Sequence, residues 1–118
     1  MIAIVDDDAA VREGIAQFLR SLDYRTSTFA SAEDFLNAEQ VQDTSCVITD
    51  VQMPGLSGID LQDRLIARGN RIPIIFITGY PKENVRIHAM KAGAVAFLTK
   101  PFNHEHLHGY LEEALRAA

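Results

Sequence analysis

Ile72-Pro73-Ile74-Ile75-Phe76-Ile77-Thr78 is a near-solid run of apolar, β-branched and aromatic residues that ends on a single hydroxyl. Such a run has the length of a strand rather than a helix, and it lacks the alternation expected of a strand with one face in water. It therefore reads as a strand covered on both faces, the situation of a central strand in a parallel sheet. Four more short runs fit the same sheet: Ile2 to Val5, Tyr24 to Thr28, Cys46 to Thr49 and Ala94 to Leu98, with Ile72 to Ile77 as the fourth strand in chain order.

The stretches between these runs carry apolar residues at helical spacing. Val11, Ile15, Phe18, Leu19 and Leu22 mark a first helix behind Asp8, a carboxylate suited to cap its amino end. Ser31-Ala32-Glu33-Asp34 resembles a capping box ahead of Phe35 and Leu36, which marks a second. Gly58 to Arg68, with Ile59, Leu61, Leu65 and Ile66 in register, is the third; Lys82 to Ala92, stopped by Gly93, is the fourth. Asn103 opens a fifth that carries Leu107, Leu111, Ala114 and Leu115 on one face. Five strand-then-helix units imply an α/β fold, a doubly wound parallel sheet with right-handed crossovers and helices on both faces.

With 118 residues, the chain has the size of one domain with a single core and shows no linker, internal repeat or low-complexity stretch. No apolar run approaches the roughly 20 residues of a membrane span. Met1 to Val5 runs straight into three aspartates without a basic leader, unlike a secretory signal, so a cytoplasmic location is expected. A net charge of -5 without a Lys/Arg cluster speaks against direct nucleic-acid contact by this domain. The lone Cys46 sits inside an apolar run and reads as a small buried hydrophobe.

Ligands of open parallel sheets bind beyond the carboxyl ends of the strands. Those positions hold Asp6 and Asp7 after strand 1, Asp50 after strand 3, Thr78 after strand 4 and Lys100 after strand 5. Three converging carboxylates repel one another unless a cation sits among them. Oxygen ligands with neither His nor Cys beside them favour Mg²⁺, with Mn²⁺ as the alternative, and Mg²⁺ commonly completes its shell with phosphate oxygens. Lys100 and Thr78 suit phosphoryl oxygens as point charge and hydroxyl donor. In the absence of a Ser-His or Cys-His arrangement, a carboxylate is the candidate nucleophile.

Taken in order, Val5-Asp6-Asp7-Asp8 with Arg12, Thr49-Asp50-Val51-Gln52-Met53-Pro54-Gly55 with Ser57-Gly58, Ile77-Thr78-Gly79, Ala89-Met90-Lys91-Ala92-Gly93-Ala94 and Phe97-Leu98-Thr99-Lys100-Pro101-Phe102 span the chain. In this set the chain resembles the receiver domains of two-component response regulators, especially the FixJ type found ahead of a helix-turn-helix output domain. The resemblance implies a CheY-like, flavodoxin-like sheet of strand order 2-1-3-4-5, with residues 1–118 as one receiver domain and an output domain outside this chain. It implies Asp50 as phosphoacceptor, Asp7 and Asp50 as direct Mg²⁺ ligands, Asp6 as a ligand through water, and the main-chain carbonyl of Gln52 as the remaining protein ligand. Thr78 and Lys100 assist the transfer, and Thr78, Phe97, Tyr80 and Pro101 belong to the switch, with a cis Lys100-Pro101 peptide. A sensor histidine kinase is the implied donor, and phosphorylation is expected to promote a homodimer through helix 4, strand 5 and helix 5. The chain departs from FixJ-type relatives at Tyr80-Pro81, where they commonly carry His-Gly; the bulkier pair is expected to shield the phosphoryl group, against a water-orienting Gln52.

Each residue also has a plainer reading. Asp8 serves as a helix cap, Phe97 fits an ordinary half-buried strand position, and His88 reads as a surface residue. His104-Glu105-His106-Leu107-His108 formally matches the zinc-protease helix signature, but no third ligand is in reach, since Glu112 lies roughly 12 Å along the helix from His104. A haloacid-dehalogenase-like phosphatase would use Asp6-Asp7-Asp8 as its Asp-x-Asp, yet the chain lacks the further acidic pair after Lys100. A pseudo-receiver limited to protein contacts is disfavoured by the full set of Asp7, Asp50, Thr78 and Lys100.

Overall fold

In the computed structural model, which describes residues 1–116, five parallel strands form one sheet in the order β2-β1-β3-β4-β5. The strands are β1 (Ile2–Val5), β2 (Thr26–Phe29), β3 (Cys46–Asp50), β4 (Ile74–Thr78) and β5 (Ala96–Thr99). They alternate with α1 (Ala9–Ser21), α2 (Ala32–Leu36), α3 (Gly58–Ala67), α4 (Glu83–Lys91) and α5 (His104–Arg116). Side chains alternate across each strand, so the sheet divides the core into two layers. Ile2, Ile4, Ile48, Ile75 and Ile77 pack with Ile15, Leu19, Leu107 and Leu111 of α1 and α5. Ala3, Val5, Val47 and Phe76 pack with Phe35, Leu61, Leu65 and Ala89 of the other three helices. β3 and β4 are buried along their whole length, as the apolar run at Ile74–Ile77 requires.

Helix starts follow their capping chemistry. The Asp8 carboxylate accepts from the Ala10 and Val11 amides, and the Asn103 side chain accepts from the Glu105 amide at 2.7 Å. Ser57 and Asp60 form a reciprocal capping box at α3, with bonds of 2.9 and 3.1 Å. At α2 only one half of the expected box is present, the Asp34 amide donating to Ser31 Oγ. α2 is short, and a 3₁₀ turn over Glu39–Asp43, unforeseen in the sequence, carries Val41 into the core.

Three strands begin two residues later than the apolar runs suggest, and each delay has a local cause. The Tyr24 amide bonds back to Leu19 and the Ala94 amide to Ala89, closing α1 and α4, so neither amide is available to a sheet ladder. Ile72 bonds to the Asn70 side chain, and Pro73 has no N–H to offer. Gly93, at φ 104°, makes the turn that ends α4, a conformation L side chains rarely adopt.

Cys46 is fully buried, and burial pushes its thiol up to about 12. No helix among the described residues is long and apolar enough to cross a membrane.

Candidate functional site

The carboxyl ends of β1, β3, β4 and β5 converge on one cluster. Asp50 and Thr78 are the last residues of β3 and β4, one position further than the apolar runs reach, and Asp50 pairs in register with Ile77. Asp6 follows β1 and Lys100 follows β5. Carboxylate oxygens of Asp6, Asp7 and Asp50 lie within 4.8 Å of one another, Asp6 and Asp50 buried and Asp7 exposed. The Lys100 ammonium reaches between the two buried ones, 3.1 Å from Asp6 Oδ2 and 3.3 Å from Asp50 Oδ2. The Lys100-Pro101 peptide is cis, as the resemblance implies.

Asp6 is held firmly. Its Oδ1 accepts from the Asp8 amide at 2.9 Å and its carbonyl accepts from the Arg12 guanidinium at 2.6 Å, which ties the start of α1 to the end of β1. Asp50 is less satisfied. Its Oδ1 is buried with no hydrogen-bond partner. Burial, followed by the neighbouring Asp6 charge, raises the Asp50 carboxyl above its ordinary value, and Lys100 only partly offsets both. Burial works against the Lys100 charge, but the hydrogen bond and charge of Asp6, with those of Asp50, outweigh it and hold the ammonium above its usual range.

Three carboxylates thus face one ammonium, and one buried carboxylate oxygen stands without a donor. That donor set fits a hard divalent cation: all oxygen, net negative, with one oxygen uncompensated.

Thr78 is fully buried, and its hydroxyl donates to Gln52 Oε1 at 2.6 Å while accepting from the Tyr80 amide at 3.0 Å. The Gln52 Nε2 donates to the Tyr80 carbonyl at 3.4 Å. The bond between Gln52 and Thr78 was not legible from the sequence, because these two residues are 26 positions apart and meet through the β3–β4 pairing. Tyr80 is 74% exposed, so its ring is not packed against the cluster by the surrounding protein. Phe97 is half-buried, its ring centroid 6.1 Å from that of Phe76.

The histidines at the other end of the sequence have ordinary surroundings. The His104 ring lies 4.9 Å from Phe18, and His108 meets Phe18 edge-on and sits 3.3 Å from the Tyr24 hydroxyl. His88 is an exposed α4 residue 3.7 Å from an Asp63 oxygen. Among the described residues, the one group of three or more His, Cys, Asp or Glu placed to share an ion is Asp6, Asp7 and Asp50.

Residues 2–112 match the family model described as the response regulator receiver domain. The chain belongs to that family. As a receiver domain it is 45% identical over 118 residues to the response regulator protein TmoT of Ectopseudomonas mendocina, covering 100% of this chain and 54% of TmoT. It is 40% identical over 117 residues to the transcriptional regulatory protein FixJ of Bradyrhizobium diazoefficiens, covering 99% of this chain and 57% of FixJ. Among solved structures, that of the response regulator StyR superposes with a TM-score of 0.91 at 41% identity, over 98% of this chain and 59% of that one. The FixJ-N crystal structure superposes with a TM-score of 0.88 at 34% identity, over 99% of this chain and 94% of that one. This receiver domain spans about half the length of the curated relatives it matches.

Proposed function

We propose that this receiver domain takes a phosphoryl group from the phosphohistidine of a sensor histidine kinase onto the Asp50 carboxylate. The histidine N–P bond breaks as the Asp50 O–P bond forms, and the imidazole leaves. The observation that carries the proposal is the pairing of a buried, partly unsatisfied Asp50 with a Lys100 ammonium lodged between it and Asp6. Lys100 would neutralise charge on the transferring group, and the Thr78 hydroxyl, which donates to Gln52 Oε1 before transfer, is the donor that would turn to it. Asp7, Asp50, the main-chain carbonyl of Gln52 and, through water, Asp6 would hold Mg²⁺ or Mn²⁺. A bound Mg²⁺ supplies positive charge to the phosphoryl oxygens and relieves the repulsion among the carboxylates. The protein positions and neutralises; it is a phosphoacceptor switch, acting catalytically only on its own phosphorylation and dephosphorylation.

Phosphorylation adds charge and strong acceptors beside Thr78, biasing the β4–α4 loop, Tyr80, Phe97 and Pro101 between two arrangements. The face of α4, β5 and α5 carries the change to a homodimer and to a helix-turn-helix output domain in the longer protein, with the domain itself making no nucleic-acid contact. Its place of action is the cytoplasm. Support for transcriptional output comes from the relatives, one of which is named a transcriptional regulatory protein.

Incubation with Mg²⁺ and acetyl phosphate tests the assignment by intact mass. The expected result is one labile phosphoryl group on the wild type and none on Asp50→Asn, because an amide is a far poorer nucleophile than a carboxylate. Undiminished labelling of that variant would overturn it. Steady turnover with label near Asp6 would indicate a phosphatase instead, and no labelling at all a pseudo-receiver.

A further inference from the structure

We propose that the Gln52 side chain is a positioning residue that competes with the phosphoryl group for the single hydroxyl proton of Thr78, and so restrains the phosphorylated arrangement. The inference rests on Asp50 being the phosphoacceptor.

The hydrogen-bond directions follow from donor and acceptor inventory. The Tyr80 carbonyl is an acceptor only, so the Gln52 atom facing it at 3.4 Å must be the amide nitrogen. The other end of the carboxamide, facing Thr78 at 2.6 Å, is then the oxygen, and the Thr78 hydroxyl must be the donor. The lone pairs of that hydroxyl accept from the Tyr80 amide at 3.0 Å. Thr78, Gln52 and Tyr80 therefore form a closed three-membered ring of bonds that joins the loop after β3 to the loop after β4.

A threonine hydroxyl has one proton to donate. Phosphoryl oxygens on Asp50 accept and do not donate, so Thr78 can serve them only by releasing Gln52 Oε1. That exchange costs the ring one bond and leaves Gln52 tethered by Nε2 alone. Tyr80 follows, because its amide is bonded to the same hydroxyl oxygen. Gln52 thus acts through Thr78 and not on the reacting atoms. It is solvent-exposed, so replacing its side chain leaves the buried core intact.

Beryllofluoride, a reversible phosphoryl mimic, titrated with Mg²⁺ into the 118-residue chain and followed by the Tyr80 amide resonance, reads the competition directly. Gln52→Leu should bind beryllofluoride about tenfold more tightly than wild type, equivalent to about 1.4 kcal/mol. In a Thr78→Val background, where there is no hydroxyl to contest, the same Gln52→Leu substitution should leave affinity unchanged; in a Thr78→Ser background the tenfold gain should return. A purely structural role for Gln52 would not depend on the hydroxyl at position 78 in this way. Equal affinity of wild type and Gln52→Leu, or an equal gain in the Thr78→Val background, overturns the competition while leaving Asp50 as phosphoacceptor. Failure of the wild type to bind beryllofluoride overturns both.

Discussion

Gly58 is the first residue of α3, and the end of β3 runs directly beneath it. A Cβ built at this position would lie 2.2 Å from the carbonyl oxygen of Asp50 and 3.2 Å from the Val51 Cα. Both obstacles are backbone, and the Gly58 amide already donates to the Val51 carbonyl at 2.9 Å. Gly58→Ala must therefore push the start of α3 away from the sheet or displace the Asp50 peptide. Forcing extra volume into a packed site costs about 1 to 3 kcal/mol, and a collision with backbone cannot be relieved by a change of rotamer. We expect a loss of about 2 kcal/mol. With an unfolding entropy near 2.1 cal/mol/K per residue, that corresponds to a fall in Tm of about 8 °C for a chain of this size. Gly14→Ala in α1 is the control, since a Cβ there meets nothing within 4 Å. It should stabilise by roughly 0.5 to 1 kcal/mol through helix propensity alone. Urea titration and thermal melting by far-ultraviolet circular dichroism measure both. Equal effects of the two substitutions, or a Gly58→Ala loss under about 0.5 kcal/mol, would refute the reasoning. Because the displaced carbonyl belongs to Asp50, the same variant should also phosphorylate more slowly from acetyl phosphate.

Asp7→Ala should weaken Mg²⁺ binding by at least about tenfold, since it deletes one of the few carboxylates proposed to hold the ion; unchanged affinity in a calorimetric titration would place the ion elsewhere. Tyr80→Gly should speed decay of the phosphoaspartate by about tenfold, or about 1.4 kcal/mol on the barrier, if the ring shields the group; equal or slower decay removes that role. Phosphorylation should promote self-association through the face of α4, β5 and α5, and identical sedimentation with and without the phosphoryl group would argue against that output.

The main elements of the fold, and the residues that gather at the carboxyl end of the sheet, were already legible in the order of residue types. Ile74 to Ile77 is apolar on every side, which suits a doubly covered strand, and the polar residues Asp6, Asp50, Thr78 and Lys100 each follow or end such a run. Strand order came with the family resemblance, and the pairing of β1 with β2 and β3 bears it out. Strand starts were less legible. Tyr24 and Ala94 look like strand residues, yet helix closure claims their amides first, and local composition does not reveal which of two nearby acceptors wins.

What only the tertiary structure decided are the relations between loops distant in sequence. Lys100 could be expected near the carboxylates, but that it lies between Asp6 and Asp50, and leaves Asp50 Oδ1 without a partner, depends on how β5 and β3 are spaced by β4. The three-way bond among Gln52, Thr78 and Tyr80 likewise exists because adjacent parallel strands deliver their following loops side by side. Gly58 carries the same lesson at the level of backbone: its motif named it, and only the 2.2 Å approach to the Asp50 carbonyl explains why no side chain fits there. Hydrogen bonds and steric limits are short-ranged, so residue pattern can say which groups meet at one end of a sheet, while which atom contacts which is settled by the sheet's own geometry.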